Sequence, residues 1–279
     1  MSGKLYLCAT PIGNLGDITY RCVEILQSVD LIAAEDTRRT LGLLNHLNIE
    51  KPLTSYYEHN RREKGEFLIS EMKNGKNIAL VSDAGTPAIS DPGEDLVALC
   101  AESGIDVVPV PGAVAGINAL IASGISTKRF TFEGFLSVNK RSRNEHLKSL
   151  ENEERTMIFY EAPHKLMATL RDMYTVFGDR RITLCREITK IHEEFFRTTL
   201  KGAIAHYEES PPRGEFVLII EGKSPMDKEA EKAQEWQNLS ISEHVEMYIG
   251  RGMTEKDALK AAAKDRGVSK RDIYNEYKR

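Results

Sequence analysis

The segment TPIGNLGD at residues 10–17 decides how the N-terminal half of the chain folds. It follows an apolar run at residues 5–9 and precedes a helical pattern, which is the order of strand, loop and helix. The same order is repeated after three further apolar runs, at residues 31–34, 78–81 and 107–109. This alternation predicts an α/β domain over residues 1–122, with a parallel-type sheet and crossover helices.

The following part of the chain is predicted to form a second α/β domain over residues 128–222. Its strand patterns are longer and lie at residues 130–135, 156–161, 182–187, 195–200 and 216–221. An amphipathic helix at residues 164–177 lies among them, so we expect a mixed sheet. Residues 123–128 are the expected hinge between the two domains.

The C-terminal part of the chain has a different composition. Residues 223–238 are mainly charged and polar, which indicates a linker or an exposed helix. Helix signals then return, because Thr254 opens a helix that Gly267 ends and residues 269–272 make a capping box for another. We expect a small helix-turn-helix-like module at residues 240–279, although a simple helical cap explains the pattern equally well.

The composition limits the classes of function. The chain has 279 residues and a formal net charge of −4, so any contact with nucleic acid has to be local. Its four cysteines show no C-x-x-C or Cys/His spacing, which predicts buried free thiols and no metal site. No apolar run is long enough to cross a membrane and no signal-peptide pattern is present, so we expect a cytoplasmic protein.

Three loops at predicted strand ends are candidates for ligand binding. Residues 82–93 combine turn formers, hydroxyls and carboxylates, while residues 109–116 are small and suit a flat, partly apolar ligand. The carboxyl ends of parallel strands border a crevice, so loops 10–17 and 82–93 should line one cleft. The competing interpretation of loop 82–93 is a turn whose polar side chains bond their own backbone. Neither the G-x-G-x-x-G nor the G-x-x-x-x-G-K-[ST] pattern occurs, so a dinucleotide fold and a phosphate-loop NTPase are not supported.

Several ordered blocks of sequence resemble the tetrapyrrole methylase superfamily. Besides loops 10–17 and 82–93, they are AEDTR at residues 34–38, FYEAPH at 159–164 and REITKIHEE at 186–194. Within the superfamily, the blocks are most similar to the branch of small-subunit ribosomal RNA methyltransferases. The third loop departs from that branch, since PGAVA at residues 111–115 replaces its usual Pro-Gly-Pro-Ser-Ala and lacks the hydroxyl.

The resemblance implies both a fold and a reaction. The fold is the two-domain tetrapyrrole methylase-like fold, with S-adenosylmethionine as the methyl donor between the domains. The implied acceptor is the ribose 2′-hydroxyl of a cytidine in the decoding region of 16S rRNA in the small ribosomal subunit, and the resemblance also implies a homodimer. The implied donor-binding residues are Pro11, Gly85, Thr86, Pro87, Ile89, Pro111, Ala113, Tyr160 and Pro163.

A ribose hydroxyl is a poor nucleophile near neutral pH, so a base in the cleft would help to remove its proton. The candidates by position are the carboxylates at the ends of two strands, Asp83, Asp91, Glu35 and Asp36. Asp36 is also well placed as the N-cap of the following helix. The sequence does not separate the four.

An RNA substrate also requires cationic side chains around the cleft. The candidates come from basic clusters and from the family motifs: Lys140, Arg141, Arg143, Arg186, Lys190, Lys270 and Arg271. A basic cluster by itself is more often only a solvated surface. Binding through such patches should be sensitive to salt.

Two other functions fit parts of the sequence. Methylation of a carbon in a tetrapyrrole precursor would use the same scaffold, but it leaves the expected basic loop at residues 140–143 without a purpose. A non-enzymatic nucleic-acid-binding regulator acting through residues 240–279 would leave the two stiff loops unexplained. Binding of S-adenosylmethionine distinguishes the two methylase functions from the regulator.

Overall fold

The computed structural model describes residues 2–224 and 236–278, and the chain divides after Gly222 into two units. The first unit holds two five-stranded sheets, and the described part of the second is helical. The predicted linker at residues 223–238 falls mainly on residues 225–235, which lie outside the described residues.

The first sheet contains five parallel strands. They are β1 (Leu5–Cys8), β2 (Leu31–Ala34), β3 (Leu53–Ser55), β4 (Ile78–Val81) and β5 (Val107–Val110). The helices of this part of the chain are α1 (Tyr20–Ser28), α2 (Thr37–His46), α3 (Arg61–Lys73), α4 (Gly93–Glu102) and α5 (Ala115–Ser123). All four residues of β4 are buried, as is usual for a central strand that helices cover on both faces.

The strand order β3-β2-β4-β1-β5 places two loops side by side. Strands β1 and β4 are neighbours. From β1 the chain continues to β2, and from β4 it continues to β5 in the opposite direction across the sheet. A sheet of this kind has its ligand crevice where such connections diverge. The predicted parallel sheet is confirmed, and loops 10–17 and 82–93 both begin at this point.

The second sheet is mixed, as predicted. Its strands are β6 (Phe130–Phe135), β7 (Thr156–Glu161), β8 (Arg181–Arg186), β9 (Glu194–Thr199) and β10 (Phe216–Ile220), in the order β6-β7-β10-β8-β9. Among the neighbouring pairs of these described strands, β6 and β7 are parallel and the other three pairs are antiparallel. Helices α6 (Lys140–Ser149), α7 (Pro163–Phe177) and α8 (Leu200–Glu209) belong to this part of the chain.

Helix α6 corrects one expectation from the sequence. Residues 140–143 look like a basic loop, but they form the first turn of α6, because the Asn139 side chain accepts hydrogen bonds from the backbone N–H groups of Arg141 and Ser142 at 2.9 and 3.2 Å. Strand β9 likewise ends one residue early, at Thr199, whose side chain caps α8.

Helix α5 follows the first sheet in sequence but packs on the second. Ala119 and Leu120 lie in one buried cluster with Ile158 and Val217 of the second sheet. Arg197 Nε also donates to the carbonyl oxygen of Ser123 at 3.1 Å. The expected hinge at residues 123–128 therefore follows a helix that is already attached to the second sheet.

The C-terminal unit contains α9 (Ile241–Gly250), α10 (Glu255–Arg266) and α11 (Lys270–Tyr277). The predicted boundaries are confirmed, since Thr254 caps α10, Gly267 ends it in the left-handed conformation and Ser269 forms a capping box with Asp272. The helices pack around a small core of Val245, Ala258, Leu259, Ala262, Ala263 and Ile273.

Two compositional expectations can be compared with the structure. All four cysteines are buried free thiols, as predicted. Among the described residues, no helix combines the length and the apolar character that crossing a membrane requires.

Candidate functional site

A cavity of about 580 Å³ lies where the loops of the first sheet face the second sheet. The first sheet and its loops contribute Ile12, Glu35, Arg39, Ser82, Asp83, Ala84, Gly85, Thr86, Ile89, Ser90, Asp91, Val114 and Ala115. The second sheet and its connections contribute Phe135, Tyr160, Glu161, Ala162, Pro163, Cys185, Ile188, Glu215, Phe216 and Val217. We call this cavity the cleft; its size is within the range of small-molecule sites.

Gly85 and Thr86 join three loops at the base of the cleft. Thr10 and Gly85 form an antiparallel bridge, with N–H to O distances of 2.9 and 3.1 Å. Gly85 has a φ of +82°, and a Cβ there would lie 3.2 Å from Ile12 Cγ2 and 3.3 Å from the Ala113 oxygen. Thr86 Oγ1 donates to the same Ala113 oxygen at 3.0 Å. The backbone at residue 85 therefore has both the conformation and the space of a glycine.

Loop 82–93 is stiffened by its own aspartate. Asp91 Oδ1 accepts hydrogen bonds from the backbone N–H groups of Ala88 and Gly93, at 2.9 and 2.8 Å. Ala88 and Ser90 have φ values of +68° and +63°, which are uncommon for residues with side chains and concentrate at functional sites. Asp91 Oδ2 is buried and has no hydrogen-bond partner among the described residues. The turn in which a polar side chain bonds its own backbone is therefore present at Asp91. It leaves the buried Oδ2 of this residue for a ligand group.

Three of the four candidate carboxylates line the cleft: Glu35, Asp83 and Asp91. Asp83 Oδ1 accepts the backbone N–H of Asp36 at 3.1 Å, and its Oδ2 lies 3.1 Å from Arg39 Nη1. Burial raises the pKa of the half-buried Glu35 carboxyl, Asp83 and Asp91 raise it further, and Arg39 lowers it. A carboxylate with a raised pKa is a better proton acceptor than an ordinary one.

Asp36 has a structural role instead. Its side chain caps α2 by accepting the backbone N–H of Arg38 at 2.9 Å, as its position predicts. Hydrogen bonds from the Arg38 side chain and backbone hold the pKa of Asp36 below its usual value. It does not line the cleft.

Tyr160 forms an aromatic wall opposite these carboxylates. Its hydroxyl accepts the backbone N–H of Gly116 at 3.0 Å, and burial raises the pKa of this phenol. Phe132 and Phe135 approach its ring edge-on, with centroids 5.1 and 5.4 Å away. The wall offers a flat apolar surface to a ligand.

The predicted donor-binding residues divide into two groups. Gly85, Thr86, Ile89, Tyr160 and Pro163 line the cleft. The other four do not: Pro11 lines a smaller neighbouring cavity, Pro87 is buried, Ala113 anchors Thr86, and Pro111 is exposed.

The predicted RNA-contacting cations also differ in how they are used. Arg143 is 12% exposed and pairs with Asp172, Arg186 pairs with Glu194, and Lys190 pairs with Glu187 and Glu215. Arg143 therefore stabilises the packing of α6 on α7. The more exposed members of the set are Lys140, Arg141, Lys270 and Arg271, of which the last two lie in the C-terminal unit.

Loop 10–17 rests directly on the connection between β8 and β9. A Cβ on Gly13 would collide with Cγ of Lys190. Lys190 Nζ in turn lies 3.0 Å from Glu187 Oε1 and 2.8 Å from Glu215 Oε2. The two sides of the cleft therefore touch at Gly13.

The sequence analysis did not identify several residues of the cleft. Arg39 is one helical turn beyond the Asp36 cap, a spacing that would have placed it at the same sheet edge. Cys185, Ile188, Glu215, Phe216 and Val217 come from β8, β10 and their flanks, whose adjacency no local pattern indicates.

Comparison with known proteins identifies the family. Residues 4–204 match the family model of tetrapyrrole (corrin/porphyrin) methylases. The ribosomal RNA small subunit methyltransferase I of Synechocystis sp. is 50% identical over 273 residues, covering 98% of this chain and 96% of that protein. The protein of that name from Thermotoga maritima is 48% identical over 221 residues, 79% of this chain and 99% of its own.

Solved structures agree on the fold. Uroporphyrin-III C-methyltransferase from Thermus thermophilus superposes with a TM-score of 0.56 at 17% identity, covering 78% of this chain and 94% of that one. The chain belongs to the tetrapyrrole methylase family, in the branch of the ribosomal RNA small subunit methyltransferases I.

Proposed function

We propose that this protein transfers a methyl group from S-adenosylmethionine to the ribose 2′-hydroxyl of a cytidine in the decoding region of 16S rRNA. The observation that carries the reaction is the cleft, which combines a rigid glycine-containing loop, an aromatic wall and a carboxylate of raised pKa. The names of the relatives support ribosomal RNA of the small subunit as the substrate.

The residues of the cleft fit the donor. S-adenosylmethionine supplies an activated methyl group on a sulfonium, together with a flat adenine and an amino-acid end. The Tyr160 wall suits the flat part, and the unpartnered Asp91 Oδ2 suits a cationic or N–H group. Gly85 and Thr86 would contact the donor, because both line the cleft and Gly85 has no side chain to fill it.

Glu35 is the proposed base for the acceptor hydroxyl. In-line transfer to oxygen depends mainly on alignment and on removal of one proton. Glu35 is the cleft carboxylate whose pKa burial and its neighbours Asp83 and Asp91 raise, whereas Asp83 is held by Arg39 and Asp91 by its own turn. In this proposal Asp83 positions Arg39, and Asp91 shapes the loop.

The RNA strand would be held by the exposed cations. Lys140 and Arg141 lie in the first turn of α6, and Lys270 and Arg271 begin α11. Phosphate contacts of this kind give affinity without reading sequence. We also propose that the protein acts in the cytoplasm as a homodimer; sedimentation analysis of the purified chain tests the dimer.

Transfer of labelled methyl groups tests the function. The purified protein is incubated with labelled donor and, separately, with small ribosomal subunits lacking the modification, naked 16S rRNA, or a porphyrinoid precursor. We expect label in the RNA of the subunits, in a nuclease-resistant dinucleotide because a 2′-O-methyl group blocks cleavage there. Label in the porphyrinoid alone, or no donor binding by calorimetry, would contradict the proposal.

A further inference from the structure

A second cavity, of about 260 Å³, adjoins the cleft. It shares Arg39, Ser82 and Asp83 with the cleft, so the two spaces meet at these residues. Its remaining lining comes from loop 10–17 and α2: Thr10, Pro11, Leu15, Thr40, Gly42 and Leu43. We call it the side cavity; its lining has one cation, Arg39, one carboxylate, Asp83, several hydroxyl groups and an apolar surface.

Gly42 is unusual because the protein's own packing does not require it. It lies inside α2, where glycine destabilises a helix relative to alanine. A Cβ built on Gly42 would meet no heavy atom within 4 Å. At Gly93, by contrast, a Cβ would lie 2.7 Å from Asp91 Oδ1. The absence of a side chain at residue 42 leaves open the space in front of it, which belongs to the side cavity.

Arg39 supplies the charge of the side cavity. Its guanidinium lies 3.1 Å from Asp83, and its side chain is 68% exposed. An ion pair this exposed is weak, so an incoming anion can take the place of Asp83 at small cost. Arginine binds phosphate oxygens in a two-pronged geometry, which favours a phosphate as that anion.

We propose that the side cavity binds the nucleotide next to the acceptor in the RNA strand. Its phosphate lies on Arg39 and its base packs on Pro11, Leu15 and Leu43. The inference rests on the proposed function and extends it, because it assigns a second nucleotide site. When the acceptor ribose of a single strand lies beside Asp83, the adjoining nucleotide reaches the side cavity, because Arg39, Ser82 and Asp83 border both spaces.

Filling the side cavity tests the proposal most directly. Gly42→Leu places a side chain in the cavity without a clash at its Cβ, and Gly42→Ala is a smaller step that helix propensity favours. We expect Gly42→Leu to lower kcat/KM for small subunits about tenfold or more, while calorimetry shows unchanged donor binding. Asn45→Leu, an exposed position on the same helix outside the cavity, is the control and should keep full activity.

Removing the charge tests the phosphate contact. Arg39→Met should raise KM for small subunits about tenfold and lower the slope of log KM against log salt by about 1. Arg38→Met is the matched control, since Arg38 is 90% exposed, pairs with Asp36 and lines neither cavity. It should leave both KM and the salt slope unchanged.

The results distinguish the inference from the proposed function. Wild-type protein that transfers no methyl group to small subunits overturns both. Wild-type activity in Gly42→Leu, or an Arg39→Met salt slope equal to that of Arg38→Met, overturns the nucleotide site alone. Loss of donor affinity in Gly42→Leu also overturns it, because the side cavity would then belong to the donor.

Discussion

The two sides of the cleft are built from different chemistry. The side formed by the first sheet presents Glu35, Arg39, Asp83 and Asp91 beside smaller apolar residues. The side formed by the second sheet presents Tyr160 and mostly apolar neighbours, and its two glutamates, Glu161 and Glu215, bond to Thr169 and Lys190. Charged groups gather where parallel strands end in loops, and apolar groups gather where sheet residues themselves face the cleft. We therefore expect the carboxylates of the first side to control the rate of transfer. Donor affinity should depend on the second side together with Gly85 and Thr86 of the first.

The largest effect is expected at Glu35. Glu35→Gln removes the proposed base and should lower kcat about 10²–10⁴-fold, with little change in donor affinity. Asp36→Asn is the neighbouring control; asparagine caps helices as well as aspartate does, so thermal stability should change little and kcat by no more than a few-fold. Single-turnover methyl transfer to small subunits measures both. Equal kcat values in the two variants would remove Glu35 from the reaction.

A large effect on affinity is expected at Gly85, where three loops of the first sheet join. Gly85→Val forces a branched side chain into a φ of +82° and against Ile12 and Ala113, so donor affinity should fall about 100-fold. Gly104→Val carries a similar strain, with a φ of +66°, but a Cβ there meets nothing within 4 Å. Calorimetric titration should show normal donor binding for Gly104→Val. Normal binding by a folded Gly85→Val protein would place the donor elsewhere.

A moderate effect is expected on the apolar side. Tyr160→Phe leaves the Gly116 N–H without its acceptor, which costs about 1–3 kcal/mol and should weaken donor binding about tenfold at unchanged kcat. Tyr174→Phe, on α7 and outside the cleft, should bind the donor normally. A fall in kcat without a fall in affinity would contradict the division between the two sides.

The smallest effect is a shift in the pH profile. The proposed base Glu35 would act as its carboxylate, so kcat/KM should fall as the pH drops through its raised pKa. Asp83→Asn removes a negative neighbour, which lowers the pKa of Glu35 and moves this acid limb to lower pH. Arg39→Met removes a positive neighbour and should move the limb to higher pH. Shifts in the same direction for both variants would show that another group titrates.

The sequence predicted the first sheet well, because its signals are local. Each strand is followed by a loop and a helix, and the capping residues of α10 and α11 are adjacent to the helices that they close. Helix α6 was misinterpreted as a loop because charged residues fill its first turn and Leu147 is its one buried residue. Strand β3 was not predicted, since three half-buried residues give no alternation.

Half of the candidate site could be predicted for the same reason. Loops 10–17 and 82–93 can be recognised in the sequence by their glycine, proline and acidic residues, and the parallel topology of the sheet brings them together. The other side depends on β10 lying between β7 and β8, where Phe216 pairs with both Glu161 and Arg186. These partners are distant in sequence, and no local sequence pattern predicts the order of antiparallel strands. The raised pKa of Glu35 likewise depends on residues that only the fold brings near.

The contact at Gly13 holds loop 10–17 close to the connection between β8 and β9. A side chain at residue 13 would collide with Lys190 and displace it from Glu187 and Glu215, with which it pairs. A graded series of small residues at position 13 would therefore widen the gap between the sheets in steps. Methyl transfer by such a series to acceptors of different size would show how the width of the cleft limits the acceptor.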